Sequence, residues 1–246
     1  MVLSTGVGGF SREFAAKGCR IHLMDAADAF DIPRNWTFQD QAVANGFERH
    51  VREQLPWYEI ATGAVAHVAR HYIPQGGLIY DLGAATGNIG RALAPTLAAR
   101  GAHLIAVEPS PEMAAIYTGP PDSELLIERA ECVAFQPFDV AVAFLTLMFV
   151  APVERGPLVE HLVSAARPGG ALIVFDKCEA ERGYPGTVLW RLALAGKLAA
   201  GVEPGEIVAK ELSLSGVQRP IARTLLPGRA VEFFRFGEFA GWLVET

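Results

Sequence analysis

The chain has 246 residues, 51% of them hydrophobic and 20% charged, with 27 acidic against 21 basic side chains. That composition builds a core over most of its length and excludes a disordered, collagen-like or coiled-coil chain. A net charge of −6 disfavours a surface made to hold a nucleic-acid backbone, and no stretch approaches the roughly 18 apolar residues of a membrane span.

Residues 1–35 show no sustained period and read as an irregular N-terminal extension, with Gly6 to Gly9 as a flexible cluster and a lid as the expected role. The opening MVLSTGVGGF lacks a basic start followed by an apolar block, so no export signal is expected. Cys19, Cys132 and Cys178 are odd in number and far apart, which suggests reduced thiols in a cytoplasmic protein rather than a disulfide frame or metal site.

The spacing predicts an amphipathic helix from Asp40 to Gln54, a break at Pro56, and a second helix from Trp57 to Tyr72. Pro74 to Gly77 is a turn. An alternation follows: a strand at 78–83, a helix at 88–101 stopped by Gly101, and a strand at 103–109. A short helix at 111–117, capped by Ser110, then leads to a strand at 125–130. The run from Phe138 to Val150 begins as a buried strand, 153–170 is a helix closed by Pro168-Gly169-Gly170, and 171–177 is a fifth strand.

Nearly continuous apolar strands alternating with helices predict an α/β fold with a doubly wound, mainly parallel sheet. The expected division is an N-terminal extension with cap helices at 1–75, a ligand-binding core at 76–178, and a helical cap at 179–226. At 227–246 a terminal antiparallel pair around Gly237 completes a sheet of seven strands.

The segment carrying the chemistry is Tyr80-Asp81-Leu82-Gly83-Ala84-Ala85-Thr86-Gly87-Asn88-Ile89-Gly90. It falls between the first strand and a helix, where an open α/β sheet holds its ligand. Gly83 and Gly87 allow a sharp turn and close approach of backbone to a bound molecule. The glycines run G-x-x-x-G-x-x-G after an acid, whereas a pyrophosphate loop wants G-x-G-x-x-G. Asp81 suits a cationic group instead. The second strand ends in Glu108, placed to accept both hydroxyls of a ribose, and Ala130-Glu131 at the end of the third strand would lie beside an adenine. A ribose at Glu108 and a cationic amino-acid head near Asp81 together describe S-adenosylmethionine.

With these segments in place the chain resembles a class I S-adenosylmethionine-dependent methyltransferase and, more narrowly, the carboxy-S-adenosylmethionine synthase family, which supplies a carboxymethyl donor for tRNA wobble-uridine modification. The resemblance spans roughly residues 35–178 and rests on Trp36-Thr37-Phe38, Pro56-Trp57-Tyr58, Tyr80-Asp81-Leu82-Gly83, Phe149-x-x-Pro152-x-Glu154-Arg155 and Pro168-Gly169-Gly170-Ala171-Leu172. It implies that Tyr58 reaches over the cofactor, that Gly83, Ala84 and Ala85 line its methionine part, that Glu108 and Pro109 take the ribose, and that Ala130 and Glu131 meet the adenine edge. It also implies a homodimer in which the C-terminal helical region contributes to the partner's site.

Two positions depart from the family. Phe144 stands where the family has an asparagine, and Glu211 where it has the arginine that holds the extra carboxylate, with Lys210, Arg219 or Arg223 as possible substitutes. A glutamate repels what an arginine grips, and a lost charge-assisted pair is worth about 1.5–3 kcal/mol. The expected activity is therefore methyl transfer to a small-molecule acceptor. The alternatives are a carboxy-S-adenosylmethionine synthase-like enzyme and a non-catalytic S-adenosylmethionine-binding protein.

No general base is legible; Tyr58, His71 and Lys177 qualify by position only. His67 and His71 share a helix face but lack the glutamate and third ligand of a zinc site. Phe144, Leu147, Met148 and Phe149 fit core packing better than an acceptor pocket, and the terminal Phe233 to Trp242 series fits a buried hairpin. Neither a membrane nor a nucleic acid is expected as partner.

Overall fold

The computed structural model describes residues 32–246, so the expected N-terminal lid and the Gly6–Gly9 cluster lie outside the described residues. Two helices, α1 (Gln41–Gln54) and α2 (Tyr58–Ala69), precede a sheet whose first five strands are β1 (Leu78–Leu82), β2 (His103–Val107), β3 (Glu124–Leu126), β4 (Phe138–Phe144) and β5 (Ala166–Lys177). They are connected by α3 (Asn88–Arg100), α4 (Pro111–Ala114) and α5 (Pro152–Ala165). Beyond β5 come α6 (Tyr184–Ala199), α7 (Pro204–Ser213) and the closing strands β6 (Val231–Phe236) and β7 (Phe239–Glu245).

The strands lie in the order β3-β2-β1-β4-β5-β7-β6. β1 to β5 run parallel to their neighbours, while β7 runs antiparallel to both β5 and β6. All seven residues of β4 are buried, as a strand covered by helices on both faces demands. One face packs Tyr80, Leu82, Val107, Leu162 and Trp242; the other packs Ile79, Leu93, Val140, Val142 and Phe175.

Local chemistry fixes the element ends. Asp40 caps α1 by accepting the N–H of Ala42 at 2.8 Å, and Ser110 caps α4 through the N–H of Met113 at 3.2 Å, the role that short polar side chains play at helix starts. Gly101 closes α3 in the left-handed region, φ +53°. α3 itself starts on Gly87, which has no side chain to offer as a cap. Asp81 fills that role from β1: its carboxylate accepts the N–H of Gly90, three residues into the helix.

Two boundaries differ from the expected ones. The helix predicted over 153–170 stops at Ala165, and Ala166 to Gly170 form the start of β5, exposed at Arg167 to Gly169 and turned at Gly169 (φ +81°), with Phe138 opposite Ala166. The third strand is only three residues long because its line breaks at Arg129, where a short 3₁₀ turn at Ala130–Cys132 begins.

Candidate active site

Sheet order reverses between β1 and β4, whose neighbours β2 and β5 arise from opposite directions of winding. This switch point is where open α/β sheets bind ligands. A cavity of about 590 Å³ lies there, over the carboxyl ends of the strands.

Its floor is built from the strand ends. Gly83 (φ +66°) follows β1 and donates its N–H to Val107 O at 2.8 Å. A Cβ there would stand 2.6 Å from Thr146 Oγ1, and that hydroxyl is already committed to Leu82 O at 2.6 Å. Ala85 (φ +49°) and Leu145 (φ +57°) are the two non-glycine residues with positive φ among the described residues. Both line the cavity. Such backbone costs roughly 1–2 kcal/mol per residue for an L-amino acid, and it is typically retained where a site needs a particular geometry.

The strained turn at Ala85 aims its N–H at Glu108 Oε2, 2.9 Å away, while the N–H of Ser110 reaches Oε1 at 2.9 Å. Glu108 is thus buried at the cavity wall with one amide on each oxygen. Burial pushes its carboxyl above the usual range, and the two amides pull it part of the way back. Next to it lie Pro109, Ala130 and Glu131. Arg129 holds Glu131 at 2.9 Å and Glu154 at 2.8 Å.

The opposite wall comes from elements outside the parallel core. Trp36 and Phe38 precede α1, which adds Phe47, His50 and Gln54; α7 adds Lys210 and Glu211. The rings of Phe38 and Phe149 meet edge to face at 5.0 Å, and Tyr58 meets Phe144 at 5.5 Å. α1 is fastened to the floor by Glu48, which takes the Thr86 hydroxyl at 2.8 Å and pairs with Arg91. It is fastened to α7 by Gln54 Nε2 on Glu206 at 2.6 Å, and by the N–H of Trp36 on Ser213 O at 2.9 Å.

Positive charge gathers at this end. Lys177 Nζ lies 3.5 Å from one oxygen of Glu211 and Lys197 Nζ 3.4 Å from the other. Arg155 is buried and donates to four carbonyls, of Val150, Met148, Pro220 and Arg219, tying the segment after β4 to the segment after α7. Burial pushes Lys210 down to about 6, helped by the like charge of Lys197. Burial likewise drives His50 down to about 3, with Lys210 and Lys197 adding to it. It also raises Tyr58 well above the ordinary phenol range.

Tyr58, Gly83, Ala85, Glu108, Pro109, Ala130, Glu131 and Phe144 line this one cavity. Asp81, Ala84 and Gly87 do not: they are in the layer behind it. Asp81 faces the start of α3 because the N–H of Gly90 and the positive helix end attract it. Its Oδ2 is buried with no hydrogen-bond partner among the described residues, and burial raises the group to about 7. Phe144, Met148 and Phe149 do face the cavity, while Leu147 belongs to the core beneath.

Lys177 is at the cavity, whereas His71 lies on a separate depression near the Pro168 turn. Trp36, His50, Gln54 and Arg155 were not legible as site residues; the only signal, for Trp36 and Arg155, was the Trp36-Thr37-Phe38 and Glu154-Arg155 matches to the family. Lys197, with Arg182 and Arg191, was legible from its charge as a cation able to attract an anionic substrate, with a solvated helix face as the equal alternative.

This donor set suits S-adenosylmethionine. Glu108 keeps acceptor capacity beyond its two amides for a pair of hydroxyls. Fold and site together define a class I S-adenosylmethionine-binding transferase.

The methyltransferase domain family matches residues 80–174. The chain is 30% identical to a carboxy-S-adenosyl-L-methionine synthase of Aeromonas hydrophila, over 81% of this chain and 83% of that protein. It is 25% identical to the enzyme of the same name from Staphylococcus epidermidis, over 77% and 84%. Human N-acetylserotonin methyltransferase, solved in complex with S-adenosylmethionine, shares the fold with a TM-score of 0.55 at 12% identity, covering 84% of this chain and 56% of that one. The chain belongs to the class I S-adenosylmethionine-dependent methyltransferase family, on the branch that holds the carboxy-S-adenosyl-L-methionine synthases. It is an enzyme of that class with S-adenosylmethionine as its cofactor.

Proposed function

We propose that the protein transfers the methyl group of S-adenosylmethionine to a small-molecule acceptor held between α1 and α7. One observation carries the reading: a single cavity runs from Gly83 and Glu108 to an enclosed end walled by Trp36, Phe38, Phe149 and Lys210. The cofactor supplies an activated methyl carbon on a sulfonium sulfur, so the protein's work is alignment and exclusion of water.

Glu108 would accept the ribose hydroxyls, with Pro109, Ala130 and Glu131 beside the adenine. Tyr58 and Phe144, in edge-to-face contact, would close over the sulfur. Ala84 and Gly87 shape the turn from behind. Asp81 orders the start of α3 from behind the cavity wall.

The test is incubation with methyl-labelled S-adenosylmethionine and a cell extract filtered free of macromolecules. Label should enter the small-molecule fraction. Label entering RNA or protein alone, when unfiltered extract is used, refutes the reading.

A second reading, carboxy-S-adenosylmethionine synthesis, draws support from the named relatives and from Lys177 and Lys197, which offset the charge of Glu211. The mass of the nucleoside carried through purification separates the two, since a carboxylated cofactor is heavier. We also propose a homodimer, because α6 turns Val188, Trp190, Leu192 and Leu198 to solvent and large exposed apolar faces usually mark an interface. Light scattering giving a monomer mass at micromolar concentration would sink that. The free thiols of Cys132 and Cys178 fit a reducing, cytoplasmic setting, and no helix among the described residues is long and apolar enough to cross a membrane.

A further inference from the structure

Lys210 and Arg219 are the two cations at the cavity whose charged ends make neither an ion pair nor a hydrogen bond with a described residue, and Lys210 is the one set on an aromatic face. Lys177 and Lys197 share the carboxylate of Glu211, and Arg155 is spent on four carbonyls. Glu206, one turn back along α7, is taken by Gln54. Lys210 makes no ion pair with any described residue. Its ammonium position lies over the face of Trp36, and both side chains line the cavity.

We propose that Lys210 is a catalytic residue, an uncharged amine that removes the proton from the acceptor's O–H or N–H as the methyl group moves. The proposal rests on the transfer reading above. Its balance is simple. The acceptor's proton passes to the lone pair of Nζ, the acceptor atom bonds to the methyl carbon, the carbon–sulfur bond breaks, and its electron pair stays on sulfur. The resulting ammonium then gives its proton to solvent.

Three features of the surroundings favour an amine that starts uncharged. It is packed into the wall of the cavity beside an indole and only partly exposed. The nearest cation, Lys197 on α6, is a like charge. The two acids on its own helix, Glu206 and Glu211, favour the ammonium but are drawn to Gln54, Lys177 and Lys197, which leaves burial and Lys197 dominant, and His50 on α1 is held neutral. The ring of Trp36 pulls the other way, since an aromatic face favours an ammonium. Burial and Lys197 outweigh it, and the amine sits at about 6. A base poised near the working pH is the efficient choice. Trp36 then has a part in the second half of the cycle, where it steadies the ammonium until the proton leaves.

Two measurements on the intact protein test this. Lysines are reductively methylated with ¹³C-formaldehyde and titrated by NMR, and the Lys210 signal is assigned by its loss in Lys210→Met. The signal should titrate far below the bulk lysines, at about 6. Separately, Lys210→Met and Lys210→Arg are assayed for S-adenosylhomocysteine binding by calorimetry and for label transfer with the filtered extract.

Both variants should bind S-adenosylhomocysteine within about twofold of the wild type, yet lose transfer by at least about a hundredfold. The acidic limb of the wild-type rate profile should vanish with them. Arginine keeps the positive charge but cannot deprotonate, so a role in attracting an anion would leave Lys210→Arg active. An active arginine variant, or a Lys210 signal titrating with the bulk, overturns the proposal. A wild type that binds S-adenosylhomocysteine and transfers no label to any fraction overturns the transfer reading and the base together. Transfer that survives in the arginine variant overturns the base alone.

Discussion

Replacing Glu108 by Gln separates the ligand-binding role of this residue from its structural one. The carboxylate holds the N–H of Ala85 on Oε2 and the N–H of Ser110 on Oε1, each at 2.9 Å. Truncation to Ala would orphan both amides and cost about 1–3 kcal/mol for each buried donor, which confuses binding with folding. Glutamine keeps the volume and one acceptor oxygen. Its NH₂ then faces the second amide, so a stability loss of about 1–3 kcal/mol is expected.

For the ligand, the change removes an ionised acceptor from one of two ribose hydroxyls. A charge-assisted hydrogen bond is worth about 1.5–3 kcal/mol, so the dissociation constant should rise by roughly 10- to 150-fold. S-Adenosylhomocysteine is the right probe for calorimetry because it carries the ribose without the sulfonium charge. Urea melts on the same samples give the folding term. A variant that is folded and binds S-adenosylhomocysteine within twofold of the wild type would refute the assignment of Glu108 to the sugar.

Three other outcomes follow from geometry already described. Gly83→Ala combines positive φ with a Cβ 2.6 Å from the committed Thr146 hydroxyl, and should lower stability by about 2–5 kcal/mol; a urea midpoint unchanged from wild type would contradict it. Arg155→Met leaves four carbonyls without their donor and should destabilise by about 3–5 kcal/mol, with proteolysis after brief thermolysin exposure appearing first in 145–150 and 216–220. Asp176 is fully buried and raised to about 7 from 3.8, mainly by burial. The folded state therefore holds a proton there that the unfolded state gives up, and the wild type loses stability as pH rises from about 4 to 7. Asp176→Asn escapes that loss, so its stability relative to wild type should improve by up to about 4 kcal/mol between pH 5 and 8, and a constant difference across that range would exclude the mechanism.

The parallel core was legible because its signals are local. Each strand is a short apolar run, and Ser110-Pro111, Gly101 and the Pro168 turn mark ends through their own conformational preferences. Glu108 and Gly83 were legible for the same reason, since a strand end places its last side chain at the sheet's edge.

Asp81 shows where such reading stops. Its type and spacing suit a cation, but the competing demand of α3 for a cap, created by a side-chain-free Gly87, turned it away from the cavity wall. The acceptor end was hidden more deeply. Trp36 precedes the first strand while Lys197 and Lys210 follow the fifth, on consecutive helices, and nothing in their local sequence says that they meet. Leu147 and Met148, adjacent in the chain, go to the core and the cavity respectively because a single 3₁₀ turn over Leu147–Phe149 rotates successive side chains by about a third of a circle.

The fastenings of α1, to Thr86 and Arg91 on one side and to Glu206 on the other, divide the enzyme into a donor half built on the sheet and an acceptor half built on helices. What grips the donor is welded to the sheet, so altering it endangers the fold. What greets the acceptor hangs from two short helices, one encoded before the sheet and one after. Drift or deliberate redesign can therefore swap the molecule being modified while the machinery of donation is inherited intact, and a lineage built this way diversifies in its targets long before it diversifies in its reaction.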